Sequence, residues 1–354
     1  MRIHRENTHR IFVGDVPIGN GAPVSIQSMT NTKTVDVVST VNQIHKLEHA
    51  GCDIVRVSIP DRDSLEALPR IKEQSRIPII ADIHFDHKLA VGSIKSGADG
   101  IRINPGNIGS AQKVKEIVMA AIDCERSVRI GVNLGSLKKR TLEKYASDRV
   151  GAIVESAREY VSMVEDMGLK SIKVSLKSSD VIETIESYRR FAQISNWPLH
   201  LGVTEAGTLL PGLIRSSVGM GVVLNEGIGD TLRVSLSADP VQEVLAGRIL
   251  LECLGLRKEG VRVIACPMCA RSNADVAAIA MSVEEATRDI KKHMVVAVMG
   301  CAVNGPGEAR LADIGVACDK QGAVLFKGGK TLRHIARDKI AAALVNEIEK
   351  ETHK

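Results

Sequence analysis

Short runs of β-branched residues alternate with longer stretches of helical periodicity over the first 257 residues. This alternation is typical of repeated βα units around a parallel sheet. Two of the helical stretches are residues 37–50, with Gly51 placed as a C-terminal cap, and residues 111–125. Eight βα units in about 250 residues predict a TIM barrel. The eight predicted strands are residues 23–29, 53–59, 77–84, 100–104, 128–134, 171–177, 199–205 and 230–237.

One parity of each predicted barrel strand is polar, although a parallel strand buried on both faces should be a continuous apolar run. The other parity is mostly aliphatic and can pack on outer helices. If the polar parity points inward, the carboxyl-terminal mouth of the barrel collects six cations against Asp82 and Glu205. Because buried positive charge is costly, this excess predicts an anionic ligand, a phosphate or a diphosphate. Solvated charges at strand ends are the alternative. The six cations are Arg56, Arg102, Arg129, Lys173, Lys177 and Arg233.

A second, smaller α/β domain is predicted after a short linker at residues 256–260. The predicted domains are therefore a barrel over residues 1–257 and an α/β domain over residues 258–354. In the second domain the pattern predicts strands at residues 261–265, 294–299, 314–317 and 323–326, and helices at residues 274–291 and 331–349.

Three cysteines lie at the ends of predicted strands in the second domain. Cys266 and Cys269 form a C-x-x-C turn, and Cys301 follows 32 residues after Cys269, in a glycine-rich segment that ends at Glu308. A structural zinc site would normally recruit a fourth Cys or a His. Three thiolates and one oxygen ligand fit an iron–sulfur cluster with one replaceable position. A zinc clip and a redox dithiol stay open as alternatives. The other cysteines lack partners at metal-ligand spacing and are predicted to be buried small residues: Cys52, Cys124, Cys253 and Cys318.

Composition and charge exclude several classes of function. The chain has 354 residues, 2% aromatic residues and a net charge of +5, which leaves little to stack or neutralise a nucleic acid. No apolar run approaches the roughly 18–20 residues of a membrane span, and the amino terminus has no apolar signal core. A cytoplasmic protein without a disulfide framework is therefore expected.

Several motifs occur together and in a fixed order. They are residues 28–32 (SMTNT), 81–85 (ADIHF) and 102–107 (RINPGN) in the barrel, and Cys266-Pro267-x-Cys269 and residues 299–309 (MGCAVNGPGEA) beyond it. On these motifs the chain closely resembles the 4-hydroxy-3-methylbut-2-en-1-yl diphosphate synthase family, in its two-domain bacterial form.

The resemblance implies an iron–sulfur oxidoreductase of the non-mevalonate isoprenoid pathway. The implied reaction is the reductive dehydroxylation and ring opening of 2-C-methyl-D-erythritol 2,4-cyclodiphosphate to hydroxymethylbutenyl diphosphate, with two electrons from reduced flavodoxin or ferredoxin. It also implies a head-to-tail homodimer, in which the cluster of one subunit lies over the barrel of the other.

The same resemblance implies roles for individual residues. One [4Fe-4S] cluster per subunit is held by Cys266, Cys269, Cys301 and Glu308, with Glu308 on the exchangeable iron. Thr204 and Glu205 are catalytic, with Glu205 as the proton donor. His84 either orients Asp82 or the substrate, or is only a structural barrel histidine. The implied substrate-binding residues are Arg56, Arg102, Asn104, Arg129, Asn133, Lys177, Arg233, Ser235, Asp82 and His84.

Two readings compete with the resemblance. A barrel lyase or transferase acting on a phosphate ester could carry a structural zinc module, because a fold alone does not fix a function. An iron–sulfur sensor or electron carrier would leave the inward cations unexplained. Two positions depart from the family pattern, Met268 in place of Ser or Thr and Ala270 in place of Gly. If the family glycine has a positive φ, Ala270 adds strain beside the cysteines.

Overall fold

A computed structural model of the chain describes residues 5–133, 135, 137, 139–301 and 312–352. It divides into two compact units, Met1–Arg257 and Lys258–Lys354. No helix in this described portion is both long enough and apolar enough to cross a membrane.

The first unit is a barrel of eight parallel strands, β3 to β10, which confirms the predicted fold class. Seven ladders join the strands in the order β8-β7-β6-β5-β4-β3-β10-β9. The parallel bridge Val174↔Leu199 joins β8 to the residue before β9, so the ring is nearly closed. The strands are β3 Ser25–Met29, β4 Ile54–Ser58, β5 Ile79–Asp82, β6 Gly100–Ile103, β7 Ser127–Asn133, β8 Ile172–Lys177, β9 His200–Leu201 and β10 Thr231–Leu232.

Ten helices surround these strands in the described part of the first unit, and their aliphatic side chains form a continuous buried layer with the outward parity of the strands. Helices after five of the strands begin at an aspartate that accepts a backbone N–H, namely Asp36, Asp61, Asp86, Asp180 and Asp239. The helices are α1 Val37–His49, α2 Arg62–Gln74, α3 His87–Lys95, α4 Pro105–Ile108, α5 Ala111–Asp123, α6 Lys139–Lys144, α7 Arg149–Asp166, α8 Val181–Ala192, α9 Leu209–Asn225 and α10 Pro240–Cys253.

A short hairpin, β1 Ile11–Val13 and β2 Val16–Ile18, precedes the barrel and was not predicted. Its turn residue Gly14, with φ of 59°, lies against Pro78 and Asp99. These two residues precede β5 and β6, so the hairpin covers the amino-terminal end of the barrel and leaves the carboxyl-terminal mouth for ligands.

The second unit is a five-stranded sheet in the order β11-β12-β13-β14-β15. The first three strands are parallel and the last three are antiparallel. Two helices pack on one face of the sheet around Val296, Val316 and Leu344. The elements are β11 Val261–Ala265, α11 Val276–Ala286, β12 Met294–Met299, β13 Ile314–Cys318, β14 Gly322–Lys327, β15 Lys330–Ala336 and α12 Ile340–Thr352.

The predicted helix over residues 331–349 is wrong in its first part. Residues Lys330–Ala336 form β15, a 3₁₀ turn covers Arg337–Lys339, and only then does α12 begin. Gly328 and Gly329, both with positive φ, make the tight turn that returns the chain alongside β14. Cross-strand pairing therefore overrides the local helical pattern. The predicted helix over residues 274–291 is also shorter, because α11 ends at Ala286.

Candidate active site

The polar parity of the barrel strands points inward and brings four charged residues side by side. The strand register aligns Asp82 with Arg102, Arg102 with Arg129, and Arg129 with Lys173. Arg102 donates to the Asp82 carboxylate at 3.2 Å, and Arg56 lies 3.7 Å from its other oxygen. Burial alone would raise the pKa of the Asp82 carboxyl, but Arg56, His84 and Arg102 together hold it well below its usual range.

Positive charge exceeds negative charge inside the barrel. Burial, Arg129 and Arg56 hold the pKa of Lys173 well below its usual range, and burial with the same arginines does so for Lys177. Among the described residues, the Lys173 ammonium and two nitrogens of the Arg129 guanidinium are buried without a hydrogen-bond partner. Such groups are costly unless an anion satisfies them. The interior is therefore preorganised for an anionic ligand.

Glu243 of α10 orients the last of the six cations and was missed by the sequence reasoning. It accepts two hydrogen bonds of 3.1 Å from Arg233 and one of 3.0 Å from the Ser28 hydroxyl, and it is only 2% exposed. The sequence did contain a sign of its burial, because Glu243 falls on the same helical stripe as Gly247 and Leu251, which are buried. A carboxylate on an otherwise apolar stripe indicates a buried partner.

His200 and Gln27 also belong to the polar interior of the barrel. The His200 side chain is fully buried, and its Nε2 has no partner among the described residues. Burial, and after it the nearby charge of Arg129, holds the pKa of this imidazole well below its usual range. The Gln27 amide is likewise buried with no described partner. Both belong to the inward parity of their strands, although neither was proposed as a site residue.

Gly202, at the carboxyl end of β9, makes room for the Lys177 amine. A Cβ at this position would lie 2.5 Å from the Lys177 Nζ and 2.8 Å from the Arg233 carbonyl oxygen. Real Cβ atoms are not found this close to a backbone atom, so any side chain at residue 202 would displace the amine.

The remaining predicted binding residues lie at or just beyond strand ends. Asn104 is buried, and its side chain caps α4 by accepting the Gly106 N–H at 3.1 Å. Asn133 ends β7 and is half-buried, as is Ser235 after β10. The His84 side chain is half-exposed, with its Nε2 3.6 Å from Asp82. The structure thus brings His84 to Asp82 rather than into the barrel core.

Glu205 has a backbone conformation that side-chain-bearing residues rarely adopt. Its φ is 53°, in the left-handed region, and its side chain is exposed at the mouth. Arg215 of α9 donates to the Ala206 carbonyl at 2.7 Å and holds this turn in place. Strained backbone of this kind persists where the surrounding structure enforces it, and it is concentrated at functional sites. Thr204, half-buried, donates its N–H to the Ser178 carbonyl at 3.2 Å.

The cysteines of the second unit emerge at one end of its sheet. Pairing of Ala265 with Val298 brings Cys266 and Gly300 to the same edge. The Gly300 N–H donates to the Cys266 sulfur at 3.1 Å. The Asn273 N–H donates to the Gly300 carbonyl at 2.8 Å, which ties the C-x-x-C loop to the start of the glycine-rich segment.

Two family models match this chain, one over each unit. The GcpE TIM-barrel domain matches residues 8–248, and the GcpE protein C-terminal domain matches residues 262–350. The chain belongs to the GcpE family. Both the predicted resemblance and the prediction of an enzyme are confirmed by this membership and by the curated relatives that follow.

Curated members of the GcpE family match almost the whole chain. The protein of Geobacter sulfurreducens is 49% identical over 346 residues, which is 98% of each chain. That of Caldanaerobacter subterraneus is 50% identical over 346 residues, also 98% of each chain. Both are named 4-hydroxy-3-methylbut-2-en-1-yl diphosphate synthase (flavodoxin).

Solved structures with the same barrel have unrelated sequences. Dihydropteroate synthase from Stenotrophomonas maltophilia aligns with a TM-score of 0.55 at 12% identity, covering 70% of this chain and 97% of that one. The enzyme from Coxiella burnetii aligns with a TM-score of 0.51 at 13% identity, covering 70% and 98%. At this identity the likeness shows the fold of the barrel alone.

The donor set of the GcpE second unit fits the iron–sulfur cluster that membership of the family implies. Cys266 and Cys301 are half-buried, and Cys269 is exposed. Hydrogen bonds from the Arg271 backbone and side chain lower the pKa of the Cys269 thiol and favour the thiolate that binds iron. No three His, Cys, Asp or Glu side chains of the described residues surround a single ion position, whereas a cluster spreads its thiolates over separate irons. Glu308 lies outside the described residues.

Two expectations about residues near or among the cysteines are corrected. Ala270 is not among the described residues with positive φ, so the replacement of the family glycine brings no backbone strain here. Cys253 is exposed at the end of α10, because it lies two residues from Leu251 and hence on the opposite side of the helix. Cys52 and Cys318 are buried as expected, and Cys124 is half-buried.

Proposed function

We propose that this GcpE-family chain converts 2-C-methyl-D-erythritol 2,4-cyclodiphosphate into (E)-4-hydroxy-3-methylbut-2-enyl diphosphate. The observation that supports this proposal is the set of buried cations in the barrel, whose unsatisfied nitrogens call for a ligand with several anionic oxygens. A cyclic diphosphate carries such oxygens. The names of the curated relatives, which refer to the linear diphosphate product and to flavodoxin, point to the same reaction.

The reaction balances with two electrons and two protons, counted on the protonated acids. The bond between C2 and its phosphate oxygen breaks, the C3 hydroxyl leaves as water, and a C2–C3 double bond forms. The freed phosphate oxygen becomes the end of a linear diphosphate. Reduced flavodoxin or ferredoxin supplies the two electrons one at a time.

Barrel residues bind and orient the cyclic diphosphate. Arg56, Arg102, Arg129, Lys177 and Arg233 neutralise its oxygens, and each guanidinium presents paired donors to a phosphate. Asp82 holds Arg56 and Arg102 in place, and Glu243 does so for Arg233. Asn104, Asn133, Ser235 and His84 contribute hydrogen bonds around the polyol and phosphate groups.

Glu205 supplies the proton that leaves with the C3 oxygen as water. Its exposed carboxyl extends from the strained turn at the mouth, and Thr204 lies beside it. A rigid turn fixes the donor relative to the bound diphosphate without using a flexible loop.

Cys266, Cys269 and Cys301 would hold three irons of one [4Fe-4S] cluster per subunit, with Glu308 on the fourth. Such a cluster supplies one-electron transfer and, at an iron without a thiolate, Lewis acidity. Carboxylate is a weaker ligand than thiolate for iron, so Glu308 would leave this fourth position exchangeable. We also propose a head-to-tail homodimer, in which the cluster of one subunit would lie over the barrel of the other.

Iron, zinc and acid-labile sulfide per chain, measured on protein purified without oxygen, test the cluster. We expect about four iron and four sulfide, with broad visible absorption. Stoichiometric zinc without sulfide would overturn the redox mechanism and favour a barrel lyase or transferase with a zinc module.

Glu308→Cys tests the exchangeable position. The variant should retain a full cluster and lose turnover of the cyclodiphosphate, because a fourth thiolate closes the iron to substrate. Glu285→Cys, at an exposed position on α11, introduces the same side chain away from the cysteines. This control should keep both the cluster and the turnover. A cluster-bearing Glu308→Cys protein with normal turnover would refute the assignment.

A further inference from the structure

Nearly all of the excess positive charge of the chain lies in one hairpin of the second unit. Residues 319–339, here called the basic hairpin, contain β14, β15 and the 3₁₀ turn that follows. They hold six Lys or Arg and two Asp, a net charge of +4, against +5 for the whole chain. The rest of the protein is therefore almost neutral, and its attraction for a distant anionic partner originates here.

The basic hairpin is open to solvent. β15 is an edge strand of the sheet, and six of its seven residues are exposed. Within the portion of the chain that the structure describes, Lys320, Arg333 and Lys339 are exposed and form no ion pair. By contrast, Lys327 pairs with Glu351 at 2.5 Å and is half-buried.

Edge lysines and arginines also prevent edge-to-edge aggregation, so exposed charge alone indicates no partner. Position distinguishes the two roles. β13 runs parallel to β12, so Asp319 follows Cys318 at the same end of the sheet as Cys301. Pairing of Gly322 with Ala336 brings the end of β15 to that end too. There the Arg337 guanidinium donates to the Lys320 carbonyl at 3.0 Å.

The basic hairpin therefore reaches the cysteine end of the sheet. Three strand spacings of about 4.8 Å separate β12, which precedes Cys301, from β15, which gives a lateral distance of roughly 14 Å. A redox protein seated on the hairpin would approach the cysteines from the edge of the sheet. A charge field placed elsewhere would steer such a protein away from them.

We propose that the basic hairpin is the docking surface for the electron carrier, an acidic flavodoxin-type protein. This inference rests on the proposed function, because only a reductive enzyme needs such a carrier. The commitment to an acidic partner follows from charge complementarity, which raises association rates and fixes orientation more than it raises affinity. The anionic substrate is already matched by the separate cations inside the barrel.

The test compares two triple charge reversals in cluster-loaded protein purified without oxygen. The first variant combines Lys320→Glu, Arg333→Glu and Lys339→Glu, which together reverse the sign of the net charge on the basic hairpin. Lys46→Glu, Lys113→Glu and Lys115→Glu, at exposed positions on α1 and α5, change the net charge of the protein by the same amount. Reversal rather than neutralisation keeps the β15 edge charged, so protection against aggregation is retained.

Two readouts are needed, both at low ionic strength. Calorimetry gives the dissociation constant for a bacterial flavodoxin, and turnover is measured with reduced flavodoxin and with dithionite-reduced methyl viologen. The hairpin reversal should weaken binding and lower kcat/KM for flavodoxin by about tenfold or more. With methyl viologen, turnover by the hairpin variant should stay within about twofold of that of the unmodified protein. The variant with reversed charges on α1 and α5 should lose no more than about threefold in kcat/KM for flavodoxin.

The outcomes separate the two proposals. Equal losses in both triple variants, or no loss in the hairpin variant, would overturn docking at the hairpin. Failure of the unmodified protein to reduce the cyclodiphosphate with either reductant would overturn the proposed function, while calorimetry would still decide the docking. If iron content shows that the triple variant loses its cluster, the single Arg333→Glu and Lys339→Glu variants carry the comparison, with roughly threefold effects expected for each.

Discussion

Lys173 lies in an environment that disfavours its ordinary charged state. Its ammonium is fully buried beside Arg129, with no hydrogen-bond partner among the described residues. Burial first, and then the two arginines, lower the pKa of this group. Without a bound anion the folded protein therefore disfavours the proton that the unfolded chain binds readily.

Lys173→Met tests this description by unfolding in urea without added anion. Because the folded pKa lies below the unfolded one, the unfolded chain binds the extra proton, and the free energy of unfolding falls as pH drops from the unfolded pKa of about 10.4. Methionine has a similar volume and no charge, so the variant should be about 1–4 kcal/mol more stable at pH 7 and less sensitive to pH.

Lys170→Met, at an exposed position, serves as the control and should change neither the free energy of unfolding nor its pH dependence. Greater stability of unmodified Lys173 protein at pH 7 than at pH 9.5 would contradict the assignment. It would mean that an unseen partner stabilises the ammonium in the folded state.

Sequence reasoning identified the barrel cations because strand parity depends only on the two-residue repeat of a strand. It missed Glu243, because a carboxylate on a helix is expected to be exposed to solvent. Only a comparison with the other residues on the same face of α10 indicates that Glu243 is buried. It could not foresee the left-handed conformation of Glu205, which the surrounding turn imposes rather than local propensity.

At the scale of elements, the contact between the glycine-rich segment and α11 positions the cysteines. A Cβ on Gly300 would lie 2.5 Å from the Ser272 hydroxyl and 2.8 Å from a Val276 methyl. Val276 is buried at the start of α11 and cannot move freely. The close approach thus holds Gly300 where its N–H reaches the Cys266 sulfur.

Gly300→Ala should therefore lower the iron and sulfide bound per chain to about half or less, because the segment must shift away from Cys266. Gly221→Ala is the matched control, since a Cβ there would meet only Leu250 at 3.6 Å and helical alanine is favourable. A Gly300→Ala protein with the iron content and visible spectrum of the unmodified protein would show that the contact is unimportant for the cluster.

The bounds of helices and strands were predictable where the hydrophobic pattern agreed with the capping and turn residues. The strand over residues 294–299 matches β12, and the helices after five of the barrel strands start at an aspartate cap, as α2 does at Asp61. The pattern failed for β15, whose exposed face carries no apolar alternation. The Gly328-Gly329 turn was the only local sign of a hairpin there.

At the scale of the whole molecule, the proposed reaction needs two units that come from separate parts of the chain, Met1–Arg257 and Lys258–Lys354. A head-to-tail dimer would let the cluster of one subunit serve the barrel of the other. We therefore expect turnover to require association of two chains.

Analytical ultracentrifugation at assay concentration should show a dimer, and turnover per chain should fall on dilution below the dissociation constant. A mixture of Cys301→Ser chains with Glu205→Gln chains gives a sharper test. Each homodimer should be inactive, whereas a head-to-tail heterodimer contains one complete site and should recover up to about half of the activity of its unmodified counterpart. Full activity of a monomer would contradict the arrangement.

The closure of the barrel is uneven around its circumference. Seven ladders hold neighbouring strands together, but β8 and the segment before β9 meet at the bridge Val174↔Leu199, supported by a hydrogen bond from the Val174 N–H to the Pro198 carbonyl. The barrel is thus a curved sheet whose two end strands, β8 and β9, are joined at this bridge, here called the seam. The Thr204 N–H also donates across this seam, to the Ser178 carbonyl at 3.2 Å. The segment that leads to Glu205 is therefore tied through the backbone to the end of the strand that carries Lys177, so the closure of the barrel also joins the proposed proton donor to the proposed phosphate-binding amine.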